Sequence, residues 1–349
     1  MKFGTRTVMV IVFLVTCFLS FFQLEYYILK PGHAYDVHEF ITVQNGDEDD
    51  TGSFHMMTVS MGRATPLTYT VAMFNEYMEV VKPESVRQEE EDEEEYNVRQ
   101  LKMMTDSQFN ASYVAFSRAD LEYHVTYKGV FVLNVLANGA AEGVLKPGDE
   151  IVEMDGERIE RQSVLVDRLA AKKQGDTIQL VVNRQDELLD QTVTLTEIPG
   201  AKGRIGLGIT FTESKTIKTD PKITAETEDI GGPSAGLMFT LELLNQLKDE
   251  DISKGYKVAG TGEMNEDGTV GRIGGVERKV VAADKDGMEI FFAPEDHITE
   301  AMLELNPNIV TNYTAALKTA EEIGTDMKIV PVKTIDDALN YLEQLQPKN

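Results

Sequence analysis

The chain has one cysteine, Cys17, and few basic residues for its length: 33 Lys and Arg against 59 Asp and Glu over 349 residues, a formal net charge of −26. A single cysteine excludes an intrachain disulfide framework and a multi-cysteine metal site. Its place inside an apolar stretch argues against a redox role. The acidic balance argues against a nucleic-acid partner, because phosphate backbones need a basic surface. The phosphate-loop pattern G-x-x-x-x-G-K-[ST] is also missing, so ATP is not expected as a ligand, and no other cofactor and no metal is expected either. The length allows two or three domains, each with its own core.

What is present starts with an apolar run, "TVMVIVFLVTCFLSFFQLEYYIL", residues 7–29, preceded by Lys2 and Arg6. Positive charge before the run and an acidic chain after it predict a single-pass helix in the cell membrane, with the N-terminus inside and the body outside. Tyr26, Tyr27 and Lys30 read as interfacial anchors. The rival reading is a cleaved signal peptide, since the core Val8–Phe22 has only 15 residues. No convincing A-x-A cleavage site follows it, and residues 1–30 are expected to be a short cytoplasmic tip and an uncleaved anchor.

Residues 31–118 form an N-terminal region that is hard to read. "GSFHMMTVSMGRATPLTYTVAMF" opens with strand-like alternation and is expected to pair with a later domain. "EEEDEEE", residues 89–95, reads as a solvated linker or the outer face of a helix.

From residue 119 to 198 the order is strand, small-residue loop, strand, tight turn, helix (about 162–173) and two strands. In "DEIVEMDG", Val152 and Met154 share one face while Ile151 and Glu153 take the other, which is expected to reach solvent. The order of elements and the stretch "GAAEGVLKPGDEIVEMDG" resemble a bacterial PDZ domain. That resemblance implies a β-rich module that binds an extended peptide by strand addition. The candidate edge is Val130–Val135, including Val130 and Val132. It is entered through a loop of Tyr127, Lys128 and Gly129, whose N–H groups would face a carboxylate. A helix with Val164, Val166 and Leu169 forms the opposite wall, unless those residues only fill the core. The strict G-L-G-F loop of many PDZ domains is not found.

Residues 199–349 alternate as an α/β unit, with a helix from Ser234 to about Leu247 and another from Val276 to Asp286, ending at Gly287. Ser234, in "EDIGGPSAGLMF", has two local readings. Serine after proline at the start of an apolar helix is a favoured N-cap. "GPSAG" also fits the nucleophile pattern G-x-S-x-G, which asks for a histidine and an acid downstream. Only His297 follows, in a polar loop. The other candidate base is Lys279, followed by the small and apolar Val280–Ala283, which would disfavour a charged amine.

"GGPSAG", the lysine of "GGVERK" 45 residues later, and "GTGE" between them strongly resemble the proteolytic domain of Lon-type (S16-like) serine proteases. They resemble more closely the membrane-anchored, PDZ-bearing relatives of Gram-positive bacteria, the YlbL/SepM-like proteins. The resemblance implies an α/β Lon-type proteolytic domain behind the PDZ domain and the transmembrane helix. It implies a Ser–Lys dyad of Ser234 as nucleophile and Lys279 as general base, with Thr261 holding the lysine. Asp229 is assigned to organising the loop, and the backbone N–H groups around Gly232 and Ala235 to the oxyanion. The expected function is an ATP-independent endopeptidase that cuts secreted or exposed membrane polypeptides outside the cell. The alternative is a non-catalytic PDZ scaffold with a vestigial protease domain. A homo-oligomer is compatible, since Lon-like domains often form rings.

Overall fold

In a computed structural model, residues 5–47, 51–88, 91–227 and 230–348 are described. Helix α1 (Thr5–Phe21) leads to strand β1 (Tyr27–Asp36), followed by β2 (Ser53–Arg63), α2 (Pro66–Ala72) and β3 (Glu79–Val81). The long helix α3 (Glu93–Arg118) precedes β4 (Tyr123–Val135), β5 (Glu150–Met154) and α4 (Gln162–Ala170). Then come β6 (Thr177–Arg184), β7 (Glu187–Thr194) and β8 (Ile209–Thr219). The remainder runs α5 (Gly236–Gln246), β9 (Lys257–Gly260), α6 (Val276–Lys285), β10 (Ile290–Pro294), α7 (Asn312–Ile323), β11 (Lys328–Val332) and α8 (Ile335–Glu343). Two compact units result: one built from the chain up to Val86, Thr224–Glu226 and everything from Pro233, the other from Arg87–Ile223 and Thr227–Gly232.

The first unit is a six-stranded mixed sheet in the order β11-β10-β9-β2-β1-β3. β2 pairs in parallel with β9, His55 opposite Ala259, so the alternating segment after residue 52 does join the later domain. All five residues of β10 are buried, as expected of a parallel strand covered on both faces. On α6, Val276, Val280, Ala282 and Ala283 are buried, packing with Met57, Phe291 and Ala316. Helix α5 is buried along its whole length, which matches its nearly unbroken apolar start.

The α1 helix rises about 25 Å at ~1.5 Å per residue, less than the ~30 Å hydrocarbon core of a bilayer. Among the described residues no helix is long and apolar enough to cross a membrane. Met9, Phe13, Leu14, Phe18 and Phe21 of α1 are nonetheless exposed. Tyr27, expected as an interfacial anchor, is buried, and Tyr26 packs edge-on against Tyr69.

The second unit is an antiparallel sheet in the order β8-β4-β5-β6-β7, with α3 packed on β4 and β8. Residues 209–219, expected in the proteolytic domain, pair with β4 along its whole length and belong here. A register shift between Ile151 and Glu153 also breaks the simple alternation expected in β5. The extra residue resets the phase, so Ile151 and Met154 both point into the core and the solvent-facing assignment of Ile151 is overturned. Within the acidic run, Asp92 and Glu95 form a capping box at the start of α3, where carboxylates suit the positive end of the helix dipole. Glu91 is not solvated: it is buried and its carboxyl is held low by two hydrogen bonds from Arg99, at 2.6 and 2.8 Å.

Candidate active site

Three residues far apart in sequence meet in the first unit. Ser234 lies one residue before the cap of α5, Thr261 directly after β9, and Lys279 one turn into α6. Lys279 Nζ stands 2.7 Å from Ser234 Oγ and donates to Thr261 Oγ1 at 3.0 Å. The Thr261 hydroxyl in turn donates to the Ser234 carbonyl at 3.1 Å, and that carbonyl also accepts the Gly262 N–H at 2.9 Å. The Thr261 N–H is anchored on Phe292 O in β10. The loop after β9 is therefore strapped to the segment carrying Ser234 and to the sheet.

Burial tunes this group. Lys279 is 3 % exposed, Thr261 0 %, and no carboxylate pairs with the amine among the described residues. Desolvation lowers the lysine pKa from 10.5 to about 7, because an apolar surrounding penalises the charged form. A neutral amine has two N–H bonds and one lone pair. With one N–H held by Thr261, which gives its own proton to Ser234 O, the lone pair can accept the Ser234 hydroxyl proton.

The cap reading of Ser234 fails. The cap of α5 is Ala235, and no side chain makes a capping bond there. The histidine reading also finds no support: His297 is exposed and makes no hydrogen bond to Ser234, while the neighbouring Asp296 is used by Arg272 at 2.5 Å and by the Asn312 N–H at 2.6 Å. Asp229 lies outside the described residues. Of the two oxyanion candidates, the Ala235 N–H has no acceptor among the described residues, whereas Gly232 donates its N–H to Gln100 O of α3 at 2.9 Å. Gly232 is thus already engaged, which removes it from the donor set in this conformation.

The peptide-binding assignment needs correction as well. Tyr127, Lys128 and Gly129 do not form a loop but lie within β4, with Tyr127 opposite Lys215 and Gly129 opposite Ser214. Val130 is paired on both sides, with Glu213 and Ile151, and Val132 is flanked by Phe211 and by hydrogen bonds to Asp149 and Gly148. β4 is a central strand there and cannot accept another. The edge strand beside it is β8, bonded only to β4. It is entered through Gly206-Leu207-Gly208-Ile209, a near match to the G-L-G-F loop that lies just beyond the expected boundary at 198. Gly208 has φ +70, and a Cβ there would sit 2.7 Å from Gly139 Cα, so glycine is required. The N–H groups of Leu207 and Gly208 have no acceptor among the described residues. On the expected opposite wall, Val164 and Leu169 pack on the core and Val166 is exposed.

Comparison with known proteins finds two family matches, one within each unit. Residues 101–195 match the PDZ domain, and residues 224–343 match the Lon protease (S16) C-terminal proteolytic domain. The chain carries a PDZ domain followed by the serine-peptidase domain of Lon proteases. Among similar curated proteins, the Lon protease of Malacoplasma penetrans is 30 % identical over 164 residues, which is 44 % of this chain and 19 % of that protein. The Lon protease of Vibrio parahaemolyticus is 28 % identical over 153 residues, 44 % of this chain and 17 % of that protein. The chain thus spans less than a fifth of the length of these relatives. The solved PDZ domain of an SdrC-like protein from Listeria monocytogenes is 36 % identical, with 25 % of this chain and 92 % of that one covered and a TM-score of 0.24.

Proposed function

We propose that the protein is a membrane-anchored, ATP-independent serine endopeptidase with a Ser234–Lys279 dyad, whose PDZ domain helps recruit polypeptide substrates outside the cell or in the membrane. The observation that carries this reading is the 2.7 Å contact between Ser234 Oγ and a buried, carboxylate-free lysine with its pKa lowered to about 7. Ser234 Oγ attacks the peptide carbonyl carbon while its proton passes to Lys279 Nζ. The oxyanion that forms accepts a hydrogen bond from the Ala235 N–H near the start of α5. As the C–N bond breaks, Lys279 returns the proton to the leaving amine, leaving an ester on Ser234. Water then attacks the ester, gives its proton to the lysine, and Ser234 leaves reprotonated.

Strand addition is assigned to the open edge of β8, with the free N–H groups of Leu207 and Gly208 at its start to receive a carboxylate. The membrane anchor is assigned to α1, whose exposed apolar side chains suit lipid. At 17 residues it lies at the short limit of a span, which local thinning of the bilayer accommodates.

Incubating the full chain in lipid vesicles with an unfolded protein, without nucleotide, tests the reading. Wild type is expected to cut, Ser234→Ala and Lys279→Ala to lose activity, and His297→Ala to keep it. Peptide binding with no turnover by wild type would instead favour the scaffold.

A further inference from the structure

We propose that the proteolytic unit rests on the bilayer through the apolar surface of α2 and the turn after it, with its catalytic edge turned toward the membrane, so that its substrates are cut close to the lipid surface. This rests on the reading of α1 as the membrane anchor. Only five residues separate α1 from β1, and they are tied down: Leu24 N–H donates to Ala64 O, and Ala64 N–H to Tyr26 O, both at 2.8 Å. Helix α2 begins two residues after Ala64 and packs against α1. Its inner side joins a small core with Ile28, Ala64, Ala72 and Leu24. Its outer side exposes Leu67 and Val71, and the turn exposes Met73 at 70 % and Phe74 at 87 %. No charged side chain occurs from residue 64 to residue 75. An apolar surface placed at the exit of a membrane helix is continuous with that helix, and lipid is the occupant that fits both.

The strand directions fix where the active site lies. β1 enters the sheet at Tyr27, opposite Arg63 at the end of β2. β9 runs parallel to β2 and ends at Gly260, opposite Met56, so Thr261 leaves the sheet toward the Arg63 end. β10 and β11 run the same way. The catalytic edge therefore faces the end where α1 enters, and the rest of β2 spans about 20 Å between the two at ~3.3 Å per residue. A cavity of about 480 Å³ is lined in part by Tyr77 and Glu79, after α2, and by Glu277 and Arg278, next to Lys279 in sequence. An extended substrate crosses that height in about six residues.

The natural chain contains no tryptophan, so single tryptophans report cleanly. Phe74→Trp, Met73→Trp, Phe13→Trp in α1 and, as a reference, the 89 % exposed Leu305→Trp are each reconstituted in vesicles containing acyl-brominated phosphatidylcholine and phosphatidylglycerol. Quenching of roughly twofold or more is expected at positions 13, 73 and 74 and none at 305. Quenching at 13 without quenching at 73 and 74 overturns the docking alone. No quenching at 13 overturns the anchor, and equal quenching at 305 overturns the orientation. In parallel, Val71→Glu with Phe74→Glu is expected to slow cleavage of a substrate tethered to the same vesicles about tenfold and to leave cleavage of a soluble peptide unchanged. Equal effects on both substrates would contradict the inference.

Discussion

Thr261 donates its hydroxyl proton to the backbone carbonyl of Ser234, across 27 residues of sequence, while the same oxygen accepts from Lys279. This one hydroxyl ties the backbone of the segment carrying Ser234 to the Lys279 amine. Thr261→Val keeps the volume and removes the relay. A loss of about 10–100-fold in kcat is expected, with KM little changed, because the contact orients the base and does not bind substrate. Thr261→Ser is expected to restore most of the rate with the same pH midpoint. A Val variant with wild-type kcat would show that the lysine is held by packing alone.

The lowered lysine pKa makes the rate pH dependent in a definite sense. Only the neutral amine can take the Ser234 proton, so kcat/KM is expected to climb about tenfold between pH 6 and pH 8 and then level off. Steady-state cleavage of a short peptide across that range measures it. A flat profile would contradict Lys279 as the base.

Burying the amine also costs stability. The native pKa of about 7 against 10.5 when exposed corresponds to on the order of 5 kcal/mol below pH 7. Between those two values the unfolded chain binds one more proton than the folded chain, so stability rises with pH across that window. Lys279→Met is therefore expected to be inactive yet more stable than wild type at pH 6, by about 1–4 kcal/mol, with the difference narrowing toward pH 10. Denaturant melts at both pH values read this directly.

Peptide docking and chemistry should separate by mutation. Gly208→Ala forces a side chain into a left-handed backbone at about 1–2 kcal/mol and presses it against Gly139. It is expected to weaken binding of a labelled C-terminal peptide about tenfold or more, measured by fluorescence polarisation, and to leave hydrolysis of a short soluble peptide intact. Unchanged binding would remove the start of β8 from the docking site.

Ser234, Lys279 and Thr261 were singled out by the combination of "GGPSAG", "GTGE" and "GGVERK" and its resemblance to Lon-type proteolytic domains, since each residue taken alone also had an ordinary structural reading. That the segment after residue 52 is a strand showed in its alternation; its partner, β9, did not. Other features depended on contacts that alternation does not encode. A bulge in β5 turned Ile151 into the core alongside Met154, and Gly232 lost its free N–H to Gln100 of a helix more than a hundred residues earlier. Helix α3 was hidden because its apolar positions are diluted by polar ones, although Phe109, Val114 and Phe116 are buried. The candidate edge was placed on β4, which is paired on both sides, for a simpler reason. A one-residue departure from G-L-G-F and a boundary drawn at 198 left Gly206–Ile209 outside the PDZ domain.

The central claim is that Ser234 is made nucleophilic by a neutral Lys279. The most direct measurement is the rate of covalent acylation of Ser234 by an activated peptidyl ester, followed by intact mass and peptide mapping across pH 5 to 9, in wild type and Lys279→Ala. The dyad predicts a single acyl group on Ser234, forming with a midpoint near pH 7 and abolished in the variant. Acylation elsewhere, or at Ser234 with equal rate in Lys279→Ala, would contradict it.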